Sequence, residues 1–138
     1  WTAAAPRIRG LAITIHGGFW RARHSLRLMD VLCADLIADG WFVANLEYRR
    51  IDGDGGGWPQ TLTDVLAGIE AVRAAHPELT GLPSVTIGHS AGGHLALMAG
   101  ARRPVGDSSA RSRHRSAEVS RRGARRGRDH CVRRGAFG

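Results

Sequence analysis

Thirteen residues, Val85-Thr86-Ile87-Gly88-His89-Ser90-Ala91-Gly92-Gly93-His94-Leu95-Ala96-Leu97, constrain the fold of this chain more than any other stretch. Val85 to Gly88 predicts a short buried strand, and Ala91 onward predicts a helix. Between them, Gly88-x-Ser90-x-Gly92 has the spacing of a strand–turn–helix that lifts a serine clear of a sheet. Such a turn holds its serine at strained backbone angles. A side chain two residues to either side would strike the neighbouring strand or helix, so glycine is required at both places. The helix that follows points free N–H groups and its positive dipole end at the serine, where negative charge on an oxygen would be stabilised. These requirements specify a serine hydrolase core.

Composition matters only once it is divided by position. The chain has 138 residues, enough for one domain and one core. A formal charge of +8 would ordinarily suggest a nucleic-acid or membrane partner. Residues 1–104, however, hold 10 Arg against 9 acidic residues, whereas 105–138 hold 10 Arg against 3. The basicity therefore belongs to the tail, and the body is near neutral. Cys33 and Cys131 lie far apart, with no disulfide framework or zinc spacing. Cys33 is expected as a small buried apolar residue on a helix face, and the setting as reducing and cytoplasmic. No apolar run approaches the ~18 residues of a membrane span.

Taken in order, Leu11-Ala12-Ile13-Thr14-Ile15 reads as a buried parallel strand that stops at His16-Gly17-Gly18. Ser25 is a candidate N-cap for a helix running to Asp39, with Gly40 just past its end. Trp41 to Tyr48 reads as a second strand. Residues 51–58 form a Gly-rich loop closed by Pro59. A helix from Thr61, with Asp64 at the capping-box spacing, ends before Pro77. The order strand, helix, strand, helix, strand, helix argues for an α/β fold with a parallel three-strand core and right-handed crossovers.

The pattern stops near Pro104, dividing the chain into a core at 1–104 and an Arg-rich tail at 105–138. The tail has no leucine or isoleucine, and its arginines recur among Ser, Gly and Ala without helical or strand period. A basic nucleic-acid-binding arm, a bland disordered extension and an out-of-frame reading of GC-rich DNA compete to explain it. The abrupt change favours the last, so nucleic acid is not the expected partner.

The chemistry needs more than one motif. Acyl transfer puts negative charge on a carbonyl oxygen, which preorganised backbone N–H donors must meet. A His16-Gly17-Gly18 turn leaves amides exposed and lets a substrate approach without a Cβ in the way. The N–H groups of Gly18, Phe19 and Ala91 are the candidate oxyanion donors, with Ser90 the nucleophile and His16, Gly17, Gly88 and Gly92 supporting the two motifs. His16 is expected to hold its loop by hydrogen bonds, and Glu47 and Arg49 to fix the loop after the second strand.

Together, His16-Gly17-Gly18-Phe19-Trp20, Asn45-Leu46-Glu47-Tyr48-Arg49-Arg50 and the segment from Gly88 to Leu95 resemble the α/β-hydrolase superfamily. Within it they are similar to small esterases, kynurenine formamidase-like enzymes and prolyl-oligopeptidase-type catalytic domains. The His-Gly-Gly-x-Trp form resembles the formamidase-like branch; the hormone-sensitive-lipase-like branch usually has a third glycine where this chain has Phe19. The resemblance covers residues 10 to about 103. It implies that the strands bearing the two motifs lie side by side, that the substrate is a small ester or amide, and that no metal or organic cofactor takes part.

The resemblance also implies an acid and a base after later strands, in the order Ser, Asp/Glu, His. After Ser90 the only candidates are Asp107, Glu118 and Asp129 with His94, His114 and His130, and none has a supporting strand context. His89 is the variable residue of the motif. The triad acid and base are thus unassigned, and the chain reads as a partial hydrolase fold, truncated before its later strands and expected to be inactive.

Overall fold

The computed structural model describes residues 7–53 and 55–102 and the backbone of 131–134. Asp107, His114, Glu118, Asp129 and His130 lie outside the described residues. Strands β1 (Leu11–Ile15), β2 (Phe42–Leu46) and β3 (Ser84–Gly88) alternate with helices α1 (Asp30–Ala38), α2 (Gln60–Ala75) and α3 (Ala91–Ala101). A 3-10 turn, Leu26–Met29, leads into α1, and Ser25 caps it by accepting from the Arg27 N–H. The three strands are parallel, as their apolar runs require, and β1 lies between the other two.

That order fixes where the helices go. The crossover from β1 to β2 runs one way along the sheet, and the crossover from β2 back past β1 to β3 runs the other. Both are right-handed only if their helices cover opposite faces. Accordingly Ala12 and Val43 pack with Met29 and Cys33 of the α1 segment. Leu11, Ile13, Ile15, Phe42, Ala44 and Leu46 pack on the other face with Leu62, Val65, Ile69 and Val72 of α2 and Leu95 and Ala96 of α3. Each Val, Leu, Ile, Met or Phe side chain so buried contributes about 1.5–3 kcal/mol. Cys33 is buried as expected, with its sulfur 3.3 Å from the Thr14 hydroxyl.

The strand expected to be buried at residues 85–88 is instead an outer strand of the sheet, and no residue of β3 is buried because one of its sides has no neighbouring strand among the described residues. Two further expectations are corrected. Asp64 does not cap α2, whose N-cap, Pro59, has no side-chain cap bond. Asp64 is instead buried and takes Arg49 in a two-pronged ion pair, Oδ2 receiving Nε at 2.9 Å and Oδ1 receiving Nη2 at 3.0 Å. A carboxylate one turn into a helix can reach a guanidinium on the loop after a neighbouring strand, and that charged bond is stronger than a cap. The second correction concerns the tail, where no element was expected. Cys131–Arg134 forms a fourth strand, β4, parallel to β2, and the sheet order becomes β3-β1-β2-β4. Strand pairing uses backbone groups, so a four-residue edge strand needs no apolar alternation to form.

Candidate active site

The site is built where the sheet reverses its strand order, at the C-terminal ends of β1 and β3. Ile15 and Gly88 are partners in the register, and the His89 N–H donates to the Ile15 carbonyl at 3.1 Å, carrying the pairing into the turn. Ser90 then takes φ 51° and ψ −117°, left-handed angles that cost a non-glycine residue about 1–3 kcal/mol. The geometry around it is steric. A Cβ at Gly88 would collide with the carbonyl of Gly92, and one at Gly92 with the carbonyls of Ile15 and His16. Both glycines are therefore required by close approach, as their spacing predicts. Ser90 is exposed, and its hydroxyl makes no hydrogen bond among the described residues.

The loop after β1 reaches the same place. A Cβ on Gly17 would lie 2.6 Å from the His89 carbonyl oxygen and 3.1 Å from the Ser90 Cβ, so the two motifs touch. Gly18, Phe19 and Trp20 have φ of 111°, 54° and 57°, three left-handed residues in succession. The turn is closed by the Arg21 N–H donating to the Gly18 carbonyl at 3.0 Å. It is pinned to the loop after β2 by the Ile51 N–H on the Trp20 carbonyl and the Ala22 N–H on Asp52 Oδ1. Phe19 stays 73% exposed, whereas Trp20 packs against the main core and meets His94 edge-on at 6.4 Å. Among the described residues, the backbone N–H groups of Gly18, Phe19 and Ala91 donate to no acceptor. Ala91 opens an 11-residue helix whose positive end faces the turn.

Behind this surface lies a polar anchor. His16 is buried, with Nδ1 2.8 Å from the Gly17 carbonyl oxygen and Nε2 2.5 Å from Glu47 Oε1. The Tyr48 ring stacks on it at 4.3 Å, and the Tyr48 hydroxyl donates to the His16 carbonyl at 2.9 Å. Glu47 also receives the Leu26 N–H and the Arg50 guanidinium, while Arg50 donates to the His24 carbonyl. Burial alone would raise the Glu47 pKa. The hydrogen bond and charge of His16, the Leu26 N–H and the charge of Arg50 outweigh it and hold the carboxyl below its ordinary 4.5. Burial, reinforced by the Glu47 carboxylate and opposed in part by Arg50, pushes the Tyr48 phenol up to about 12. His16 and Glu47 thus hold the loops, as the sequence suggests. Arg49 does so through Asp64, which also receives the Arg49 N–H, and Thr61 Oγ1 donates to the Arg49 carbonyl.

Sequence reading assigned no role to Asn45 or Arg50. Asn45 is fully buried, accepts from Thr14 Oγ1 at 3.0 Å and donates from Nδ2 to the Leu26 carbonyl at 2.9 Å. A polar residue inside an otherwise apolar strand was the available signal, because buried polar groups must find partners.

A hydroxyl nucleophile needs a base, and the described histidines do not supply a paired one. Two stand beside carboxylates. Both ring nitrogens of His16 are already engaged, so neither is left to take a proton from Ser90. His76, bonded to Glu78, packs with its ring tilted against Phe42 at the start of β2, the far end of the sheet from Ser90. Among the described residues, His24, His89 and His94 have no carboxylate partner.

A family model described as BD-FAE matches residues 4–120, most of the chain. No curated protein and no solved structure matches it.

Proposed function

The chain belongs to the BD-FAE family of α/β-hydrolase-type esterase domains, and on that premise we propose that Ser90 is the nucleophile of a serine hydrolase acting on small ester or amide substrates. The observation that carries this is Ser90 itself, a non-glycine residue held at φ 51° whose hydroxyl, like the N–H groups of Gly18, Phe19 and Ala91, has no partner among the described residues. In the reaction Ser90 Oγ attacks the substrate carbonyl carbon and gives up its proton to a base. The N–H groups of Gly18, Phe19 and Ala91 receive the charge that develops on the carbonyl oxygen; one such donor is worth about 10²–10³ in rate. The C–O or C–N bond then breaks, the leaving group takes the proton, and water hydrolyses the acyl-enzyme.

The position of His16 favours a second element of the reading. With its nitrogens spent on Gly17 and Glu47, no acid–base pair stands beside Ser90 among the described residues, and little turnover is expected of the chain as it stands. The abrupt loss of pattern after Pro104 fits an out-of-frame continuation, which a shift of the coding frame after Arg102 would test.

Added imidazole separates nucleophile from base, since it supplies a base from solution. Fluorophosphonate labelling is expected at Ser90, rising in rate with imidazole and vanishing in Ser90→Ala. Labelling that persists in Ser90→Ala would sink the assignment of the nucleophile. Sustained turnover without imidazole would instead show that a base is present. A p-nitrophenyl ester against an aryl formamide, under the same conditions, distinguishes a carboxylesterase from a kynurenine formamidase-like amidohydrolase.

A further inference from the structure

The histidine behind the oxyanion loop carries a charge that anchoring alone does not require. His16 is 1% exposed, with Nε2 2.5 Å from Glu47 Oε1 and Nδ1 2.8 Å from the Gly17 carbonyl oxygen. A carbonyl oxygen can only accept, so Nδ1 carries a hydrogen. Glu47 also takes the Leu26 and Tyr48 N–H groups and the Arg50 guanidinium. Its carboxyl, with a pKa below the ordinary 4.5, is ionised at neutral pH. Nε2 therefore carries a hydrogen too, because a bare nitrogen would set its lone pair against those of the carboxylate. With both nitrogens donating, His16 is an imidazolium. The Tyr48 ring, stacked on it at 4.3 Å, turns a negative π-face toward that charge.

The bond from Nδ1 lands on one particular peptide unit. The Gly17 carbonyl and the Gly18 N–H are its two ends, and that N–H has no partner among the described residues. A hydrogen bond to a carbonyl polarises the peptide and strengthens the N–H at its other end. The peptide units of the other two oxyanion donors are held differently. The Gly18 carbonyl, joined to the Phe19 N–H, accepts from the Arg21 N–H at 3.0 Å. The Ser90 carbonyl, joined to the Ala91 N–H, accepts from the Gly93 N–H at 2.8 Å. Those bonds are neutral, whereas a bond from a charged donor is roughly twice as strong.

We propose that the Glu47–His16 pair polarises the Gly17–Gly18 peptide unit and makes the Gly18 N–H the strongest of the three oxyanion donors. This rests on the reading of Ser90 as the nucleophile with Gly18 beside it. His16 and Glu47 are then positioning residues, acting through the Gly18 N–H and not on the substrate. No proton leaves the pair: the imidazolium keeps both hydrogens while negative charge gathers on the substrate oxygen. A positive charge fixed one peptide unit behind the donor needs no rearrangement at that moment. The pair cannot serve Ser90 as a base, but it strengthens the cradle for the charge that Ser90 creates.

Glu47→Gln separates charge from anchoring, since its amide oxygen still accepts from Nε2 while the negative charge that holds the imidazolium is gone. In heteronuclear NMR of the full chain at neutral pH, both His16 ring nitrogens are expected to carry hydrogens. The Gly18 amide nitrogen is expected to move upfield in Glu47→Gln, with the Phe19 and Ala91 amides moving less. Phosphonylation of Ser90 by a fluorophosphonate in added imidazole is expected to slow about tenfold in that variant, a fraction of the loss from deleting a donor outright. Tyr48→Phe breaks a neutral bond to the His16 carbonyl and leaves the pair intact, so it is expected to slow labelling less. Labelling of Glu47→Gln at the unaltered rate would leave His16 and Glu47 as anchors only, and overturns the proposal. A His16 ring nitrogen without its hydrogen, or equal shifts at Gly18, Phe19 and Ala91, overturns it as well. If labelling instead persists in Ser90→Ala, the nucleophile assignment fails, and the ring hydrogens and the Gly18 shift still decide the polarisation. Should Glu47→Gln not fold, the ring nitrogens of the unaltered chain decide.

Discussion

The two loops that meet at the candidate site are held by different forces. The elbow around Ser90 is set by hard contact, with the carbonyls of Ile15, His16 and Gly92 occupying the space where Cβ atoms would stand on Gly92 and Gly88. The His16–Trp20 loop is set by polar bonds, through His16, Glu47, Tyr48 and Arg50. Steric constraint is indifferent to pH and intolerant of a single methyl group. A hydrogen-bonded anchor tolerates changes of volume but depends on charge. A turn that must strain one residue is best made by contact, whereas a loop that must present free amides is best tied from behind.

The sharpest way to break this contrast is at Gly92. Gly92→Ala is expected to cost more than about 4 kcal/mol, because the colliding atoms are backbone and cannot move aside. Gly100→Ala on the same helix meets nothing within 4 Å and is expected to gain about 0.5–1 kcal/mol from the better helix former. Chemical denaturation of both variants checks the pair. Similar effects at the two positions would remove the steric account of the elbow.

On the polar side, Glu47→Ala is expected to cost about 2–3 kcal/mol, since it leaves His16, Leu26 and Arg50 without their shared acceptor. The sign of its pH dependence follows from a folded pKa below the ordinary 4.5. The stabilisation is fully present above pH 4.5 and is lost as pH falls through the lower folded value. Denaturation midpoints across the acid range should therefore fall less steeply for Glu47→Gln than for the unaltered chain. Parallel slopes would show that Glu47 is not the titrating anchor.

Tyr48→Phe removes one hydrogen bond while keeping the stacked ring, so about 1 kcal/mol is expected. Tyr48 is the only tyrosine, and its phenolate absorbance reports on it alone. With the folded pKa raised from 10 to about 12, its contribution is complete below pH 10 and lost as pH rises toward 12. Ionisation near 10 in the folded chain would contradict its burial beside Glu47. The last effect, of similar size, concerns strain. Ser90→Gly is expected to be more stable than Ser90→Ala by about 1 kcal/mol, because only glycine relaxes at φ 51°. Equal midpoints would mean that the turn stores no strain.

Much of this was legible without coordinates where one residue type satisfies one local constraint. Gly88-x-Ser90-x-Gly92 announces a strained turn because no other residue fits two positions from the serine. Leu11–Ile15 announces a two-sided buried strand because its apolar run has no polar alternation. Asp64 was misread because capping-box spacing is local, while its partner Arg49 comes from another segment. Arg50 and Asn45 were unassigned for the same reason: their partners, the His24 and Leu26 carbonyls, are over fifteen residues away. The fourth strand was not foreseen because the arginine-rich tail carries no strand period.

By itself, then, the sequence determined the alternation of strands and helices, the strained serine and the glycines around it, because each is dictated by sterics or periodicity within a few residues. The tertiary structure decided which strand lies beside which, that Gly17 touches Ser90, that both nitrogens of His16 are spent, and that β2 is closed by Cys131–Arg134. Those are relations between distant segments, fixed by crossover handedness and by the need of every buried polar group for a partner.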